Sequence, residues 1–182
     1  MSVYLLSTLD TKGVEAAFVR DQLAALGVAT LLVDVGCVGT PAASADVSRE
    51  AVFEAAGTSL AEMQERQDRG LAVTCAARGA AAIVSRDFTA GRCTAVLGLG
   101  GSANTTIATA AMRALPLGVP KLMVSTLASG QVRPWVGDKD ILMLNAVVDI
   151  LGINRISRLI LTQAARAMAG LLQAPPKSQI RN

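Results

Sequence analysis

The chain contains no histidine, one tryptophan, one tyrosine, three phenylalanines and three cysteines in 182 residues. Without an imidazole, Ser-His-Asp and Cys-His catalysis are excluded, as is any metal site built on histidine. Cys37, Cys75 and Cys93 lie far apart and show no metal-ligand spacing. An odd number of thiols with no secretory leader reads as reduced cysteine in a cytoplasmic protein. Aromatics at 3% leave little to stack on bases, and Lys and Arg are scattered, so the net charge of +3 argues against a nucleic-acid partner. Long apolar runs are missing too. Arg78, Asn145 and Asp149 interrupt the most apolar stretches before they reach the roughly 18 residues a membrane span requires. The first residues lack a basic head and soon meet Asp10, which argues against a secretory signal.

What is present is a core-forming chain. Hydrophobic residues make up 52% and charged residues 17%, which excludes disorder, and much of the apolar share is alanine, suited to helices packed closely on a sheet. The length suits one domain, expected over 1–173, with 174–182 a polar tail or the start of a linker. Val3–Ser7 reads as a buried apolar strand and Thr30–Val35 as a continuous β-branched and leucine run, and further strands are predicted at Thr94–Leu99, Lys121–Ser125 and Ile141–Leu144. Helices are expected over Lys12–Leu26 (with Val14, Ala17, Phe18, Leu23 and Leu26 as its apolar face), Val47–Ala56, Leu60–Phe88, from Ser102 to Leu115, and over Arg155–Leu172. Gly70 and Gly79 are the points at which the Leu60–Phe88 helix would break. Alternation of this kind predicts an α/β fold: a doubly wound, mainly parallel sheet flanked by helices in a Rossmann-like three-layer sandwich.

Such sheets bind ligands beyond the carboxyl ends of their strands, and here every predicted strand ends in small, polar or charged residues. The first is followed by Thr8, Asp10, Thr11 and Lys12, and the second by Asp34 and Gly36. Gly98, Gly100, Gly101, Ser102, Asn104, Thr105 and Thr106 follow the third strand, and Ser125, Thr126, Ala128, Ser129 and Gly130 the fourth. The glycine loop after the third strand is the sharpest of these elements. Bare backbone lets a phosphate approach, and the next helix offers unpaired N–H groups and a positive dipole end. The competing reading is a tight turn with Ser102 as helix cap. No lysine follows the glycines as a P-loop demands, and the dinucleotide pattern Gly98-x-Gly100-x-x-Ala103 is followed by no strand-end acid for a ribose. Lys12 would neutralise phosphate charge, and Asp10 would hold a hydroxyl or Mg²⁺, or else cap its own helix. Arg133 and Lys139 are close enough in sequence to add charge at the fourth loop, and Trp135 is a candidate base stacker or a buried surface residue.

Taken in order, TLDTK, LGLGGS, STLASG and DILMLNAVVDILGIN resemble the N-terminal half of the ATP-binding domain family typified by the plant tobamovirus-resistance protein, from Tyr4 to about Met168. The resemblance implies an α/β nucleotide-binding domain, often dimeric and usually joined to a second domain of similar size. It implies ATP, with or without Mg²⁺, as the small phosphorylated ligand at the Thr8–Lys12, Gly98–Thr106 and Ser125–Gly130 segments. The family's glycine loop reads Gly-Gly-Ser-Gly-Gly-Thr, and Ala103 and Asn104 stand here in place of its last two glycines. Two alternatives stay open: an ATP-hydrolysing or phosphoryl-transfer enzyme, and a protein-interaction module with a vestigial ligand site.

Overall fold

The computed structural model describes residues 1–173; the tail or linker expected over 174–182 lies outside them. Strands β1 (Ser2–Ser7), β2 (Thr30–Asp34), β3 (Cys93–Gly100), β4 (Lys121–Ser125) and β5 (Leu142–Asn145) form one parallel sheet in the order β2-β1-β3-β4-β5. The helices are α1 (Leu9–Ala25), α2 (Arg49–Ala55), α3 (Leu60–Arg66), α4 (Arg69–Thr89), α5 (Ser102–Arg113), α6 (Arg133–Val136) and α7 (Arg155–Gln173).

The strands read as unbroken apolar runs because both sheet faces are covered. Val3 and Leu5 of β1 join Ala95, Leu97 and Leu99 of β3 beneath α1 and α7. Tyr4 and Leu6 turn the other way, with Val33, Val96 and Met123, to meet α2, α4 and α5. Gly98 is bare because an added Cβ would collide with Met123 and Ala108, so it serves the packing of α5 on the sheet. The edge of β2 is covered: Asp46 and Val47 N–H donate to the Leu32 carbonyl, and Asp34 N–H donates to Val47.

Four expectations need correcting. The buried face of α1 is Leu9, Gly13, Ala16, Val19 and Leu23, while Val14 and Leu26 are exposed. The helix also begins earlier, at Leu9, and kinks at Lys12 (φ −130°). At the kink the Leu9 carbonyl accepts from Ala42 N–H (2.8 Å), and Gly13 leaves room for that loop, its missing Cβ lying 3.0 Å from Ala42. The long helix over Leu60–Phe88 is two helices, and neither glycine divides them. Gln67 adopts the left-handed conformation and Asp68 caps α4 by accepting from Leu71 N–H, whereas Gly79 lies within α4 where α2 crosses closest. Finally, the loop after β4 contains the short helix α6.

Candidate functional site

The chain runs outward from β1 to β2, then returns past β1 to β3, so neighbouring loops diverge at the β1/β3 boundary. Helix α1 packs on one sheet face and α5 on the other. Between them, at the carboxyl edge, opens a cavity of about 820 Å³. Thr8, Asp10, Thr11 and Lys12 line it from the β1 end, and Gly101, Ser102, Ala103 and Asn104 from the β3 end. The β2–α2 loop adds Cys37, Val38 and Gly39, and α3 and α4 close the far wall with Met63, Gln64, Gln67, Arg69, Ala72 and Val73.

The glycine loop turns into α5 with Gly101, not Ser102, as the N-cap residue. Ser102, Ala103 and Asn104 already belong to the helix, so the two positions that depart from the glycine pattern have no conformational need of glycine. Asn104 points down rather than out, 2% exposed. Its Nδ2 donates to the carbonyls of Leu6 (3.1 Å) and Leu99 (2.5 Å), which lie where the β1–β3 ladder ends. One side-chain amide thus clips the two central strands as they splay. It also explains Gly100, where a Cβ would stand 2.7 Å from Asn104 Cβ. Two acceptors fix the amide's orientation, and Asn104 Oδ1 is left buried without a donor.

Other hydroxyls of the predicted site are consumed internally. Thr105 Oγ1 lies 2.8 Å from the Gly101 carbonyl and 2.7 Å from Ser125 Oγ, which itself accepts from Leu127 N–H. Thr106 donates to Ser102 O and receives Trp135 Nε1–H (3.4 Å), so the tryptophan braces α5 and lies outside the cavity lining. The loop with Ser125, Thr126, Ala128, Ser129 and Gly130 lies beside Gly100, joined by Thr126 N–H to the Gly100 carbonyl, but none of the five lines the cavity. On the β1 side, Thr8 and Thr11 are within 2.9 Å of one another and remain exposed enough to face a ligand.

Asp34 is the predicted site residue with the clearest structural employment. Its Oδ1 accepts from Leu9 N–H (3.1 Å) and Gly36 N–H (2.9 Å), so it, and not Asp10, meets the start of α1. Its Oδ2 takes Arg49 Nε (2.8 Å) in an ion pair almost wholly buried. Gly36 is bare because a Cβ there would meet the Asp10 and Asp34 carboxylates. Asp10 Oδ2 accepts from Val38 N–H (3.0 Å) and stands 4.0 Å from Arg49 Nη1. Arg49 also donates to Val38 and Gly39 carbonyls, which moors the β2–α2 loop to the cavity wall, while its Nη2 is buried without an acceptor. Sequence reasoning missed Arg49. The available signal was one cation at the start of a short helix, followed by an apolar Val52-Phe53 pair. Cys37, half-buried in this wall, has its thiol pushed up by burial, with the Arg49 charge opposing that shift only in part.

Of the predicted site residues, the structure therefore gathers Thr8, Asp10, Thr11, Lys12, Gly101, Ser102 and Asn104 at one cavity. Asp34, Gly36, Gly98, Gly100, Thr105 and Thr106 do not line it. Among the described residues no group of three His, Cys, Asp or Glu is arranged to hold a metal, and no helix is long and apolar enough to cross a membrane.

Residues 1–177 match the family described as the N-terminal domain of the uncharacterised protein family UPF0261. The chain is 44% identical over 171 residues to a UPF0261 protein of Clostridium tetani, covering 94% of this chain and 42% of that protein. A UPF0261 protein of Rhizobium meliloti is 41% identical over 174 residues, at 95% and 42% coverage. A ToMV resistance protein of Solanum lycopersicum is 38% identical over 104 residues, at 57% and 14% coverage. The chain thus spans less than half the length of these bacterial relatives.

Proposed function

Since the chain belongs to the UPF0261 family as its N-terminal domain, we propose that it is a cytoplasmic nucleotide-binding domain that holds the phosphates of ATP at the glycine-rich start of α5. One observation carries the reading: the N-terminal end of α5, at Gly101 and Ser102, and Lys12 from the same end of the neighbouring strand β1 line one cavity of about 820 Å³. Backbone donors and a helix dipole can receive phosphate without a P-loop lysine, and Lys12 supplies the full charge. Thr8 and Thr11 add hydroxyl donors on the same wall. Mg²⁺ would come with ATP and rest chiefly on the phosphates, because Asp10 already accepts from Val38 N–H and the neighbouring Asp34 is paired with Arg49.

Titration calorimetry with Mg-ATP tests this. The chain should bind saturably, and Gly101→Asp, which places a carboxylate where the phosphates lie, should abolish binding while the fold persists, since a Cβ at Gly101 meets nothing closer than 3.7 Å. Equal binding by both proteins would reduce the glycine loop to a turn. An ATP-hydrolysing reading shares the site and is separated from pure binding by phosphate release on incubation with Mg-ATP.

A second reading, an interaction surface, rests on a different observation. Val147, Leu151, Ile156 and Leu159 are 63%, 73%, 45% and 58% exposed around the β5–α7 connection. Apolar surface of that kind suits a second copy of the chain or the remaining length that the bacterial relatives possess. Sedimentation of the chain, alone and joined to such a continuation, distinguishes the two partners.

A further inference from the structure

The two edges of the sheet are finished differently. Along β2 the segment at Asp46 and Val47 covers the outer hydrogen-bonding groups. At the other edge, no described residue bonds to the outer side of β5. Ala146 N–H donates to the Ser125 carbonyl, so the alternation of a parallel ladder turns Leu142 and Leu144 toward β4 and leaves the N–H and C=O of Met143 and Asn145 facing outward. Charge and proline are the usual devices that keep an edge from pairing, and Leu142–Asn145 contains neither.

An apolar helix flank stands beside this edge. Helix α7 buries Leu161, Ala164, Ala165 and Met168 against the sheet. Arg158, on its flank toward α1, lies 5.2 Å from the centre of the Phe18 ring. At about 3.6 residues per turn, Ile156 and Ile160 fall on the other flank, away from α1, with the exposed Leu159 next to them. On the same sheet face Leu142 of β5 is 49% exposed. Handedness then narrows what can sit here. Helix α1, on the face that α7 shares, carries the chain from β1 toward β2, and α5, on the opposite face, carries it from β3 toward β5. A right-handed crossover through α7 therefore leads away from the β5 edge. A parallel strand supplied by a continuation of the chain beyond α7 is not what the edge is built to receive.

Resting on the interaction surface proposed above, we infer that its occupant is β5 of a second copy of this chain, paired antiparallel so that the two sheets become one. The outward groups are self-complementary. A two-fold axis normal to the sheet at Leu144 lets Met143 of each copy exchange N–H and C=O with Asn145 of the other. That axis keeps the sheet faces in register, so α7 meets its counterpart on the same side. The flanks carrying Ile156 and Ile160 then bury each other, and Leu142 is covered.

The test joins sedimentation to cysteine cross-linking, with melting temperatures recorded to confirm that each variant folds. The chain should sediment as a dimer, and Ile156→Glu should weaken it by about tenfold or more. In the paired register Leu144 lies opposite itself in a pair without hydrogen bonds, with Cα atoms about 4.5 Å apart, within reach of a disulfide. Leu142 lies opposite Ala146 instead. Under copper–phenanthroline oxidation, Leu144→Cys should therefore form a disulfide-linked dimer, while Leu142→Cys and the parent chain, whose Cys75 and Cys93 are buried, should not. A chain that stays monomeric, with no cross-link at 144, would overturn the second copy and leave the surface to the remaining length of the relatives. A dimer that Ile156→Glu dissociates, but that cross-links at 142 as readily as at 144 or at neither, would overturn the β5 pairing and leave the interaction surface intact. A dimer indifferent to Ile156→Glu and without a cross-link at 144 would overturn both.

Discussion

At the amino ends of the strands, buried polar groups give every hydrogen they own to the protein. Tyr4 donates to Asp87, which also receives Arg86 and Arg92. Lys121, fully buried at the foot of β4, donates to the carbonyls of Pro116 and Val119 and to Asp140. At the carboxyl ends the arrangement differs. Arg49 Nη2 and Asn104 Oδ1 are buried without partners, and the first turn of α5 opens on a cavity. Both ends are polar, but only one is closed on itself. Burial of unpaired polar atoms is unfavourable by about 1–3 kcal/mol each, and among the described residues these two lie at the end with the cavity, which sets the scaffold apart from the candidate site.

The shifted ionisations tell the same story. Burial pushes the Tyr4 hydroxyl well above its usual range, reinforced by its hydrogen bond to Asp87, and drives the Cys93 thiol up to about 11. Burial also opposes the charge of Asp87, but the hydrogen bonds from Arg86, Tyr4 and Arg92 outweigh it and hold the carboxyl at about 2. For Asp140, burial is likewise outweighed, by Lys121 and by the Gly118 N–H. The aspartates of the amino end therefore stay ionised in the fold and stabilise it.

The largest expected effect lies on the cavity side but concerns the fold. Arg49→Met leaves Asp34 charged and buried without its ion-pair partner, and should cost about 3–5 kcal/mol in urea unfolding. A loss below 1 kcal/mol would show that the pair only fills space and would blur the distinction between wall and site.

At the opposite end, Asp87→Asn should cost about 2 kcal/mol at pH 7. The sign follows from the depressed carboxyl: its contribution is present above the unfolded value near 3.9 and is lost as pH falls toward its folded value of about 2. The parent protein should therefore lose stability between about pH 4 and pH 2, and this part of the acid limb should be missing from the variant. Identical acid limbs would show that the Tyr4–Asp87 cluster does not hold the scaffold.

The smallest predicted effect on the fold sharpens the contrast most. Lys12→Ala, at a half-buried position that makes no ion pair with the described residues, should change stability by less than about 0.5 kcal/mol. It should weaken Mg-ATP binding by about 1–2 kcal/mol in calorimetry. A variant that unfolds early but binds normally would place Lys12 in the scaffold instead.

How far these roles were legible beforehand depends on what each residue answers to. Expected and observed strand limits agree to within a residue, because burial on both faces leaves the central strands as short continuous apolar runs. The alternation of strands with helices was enough for the parallel α/β class. The buried face of α1 was misread because alanines populate all its sides, and packing against both the sheet and α7 selected Ala16 and Val19 over Val14. The α3–α4 break was placed at the wrong residues, since Gln67 has no composition signal for a left-handed turn. Strand ends were a sound guide to which loops meet, but not to which side chains face outward. Thr105, Ser125 and Asp34 look like ligand groups in sequence and turn out to satisfy backbone and side-chain partners. The Thr105–Ser125 and Asp34–Leu9 pairings join residues 20 and 25 apart along the chain, and a linear reading has no access to them.

The proposed ligand site lies at the carboxyl edge and the start of α5. Hydrogen–deuterium exchange of the chain with and without saturating Mg-ATP tests it most directly. Amides over 101–104 and 11–13 should slow beyond any uniform stabilisation, while those around Tyr4 and Lys121 should change only by the shared amount. Slowing centred on α7 or on the amino ends of the strands, with residues 101–104 unchanged, would contradict it.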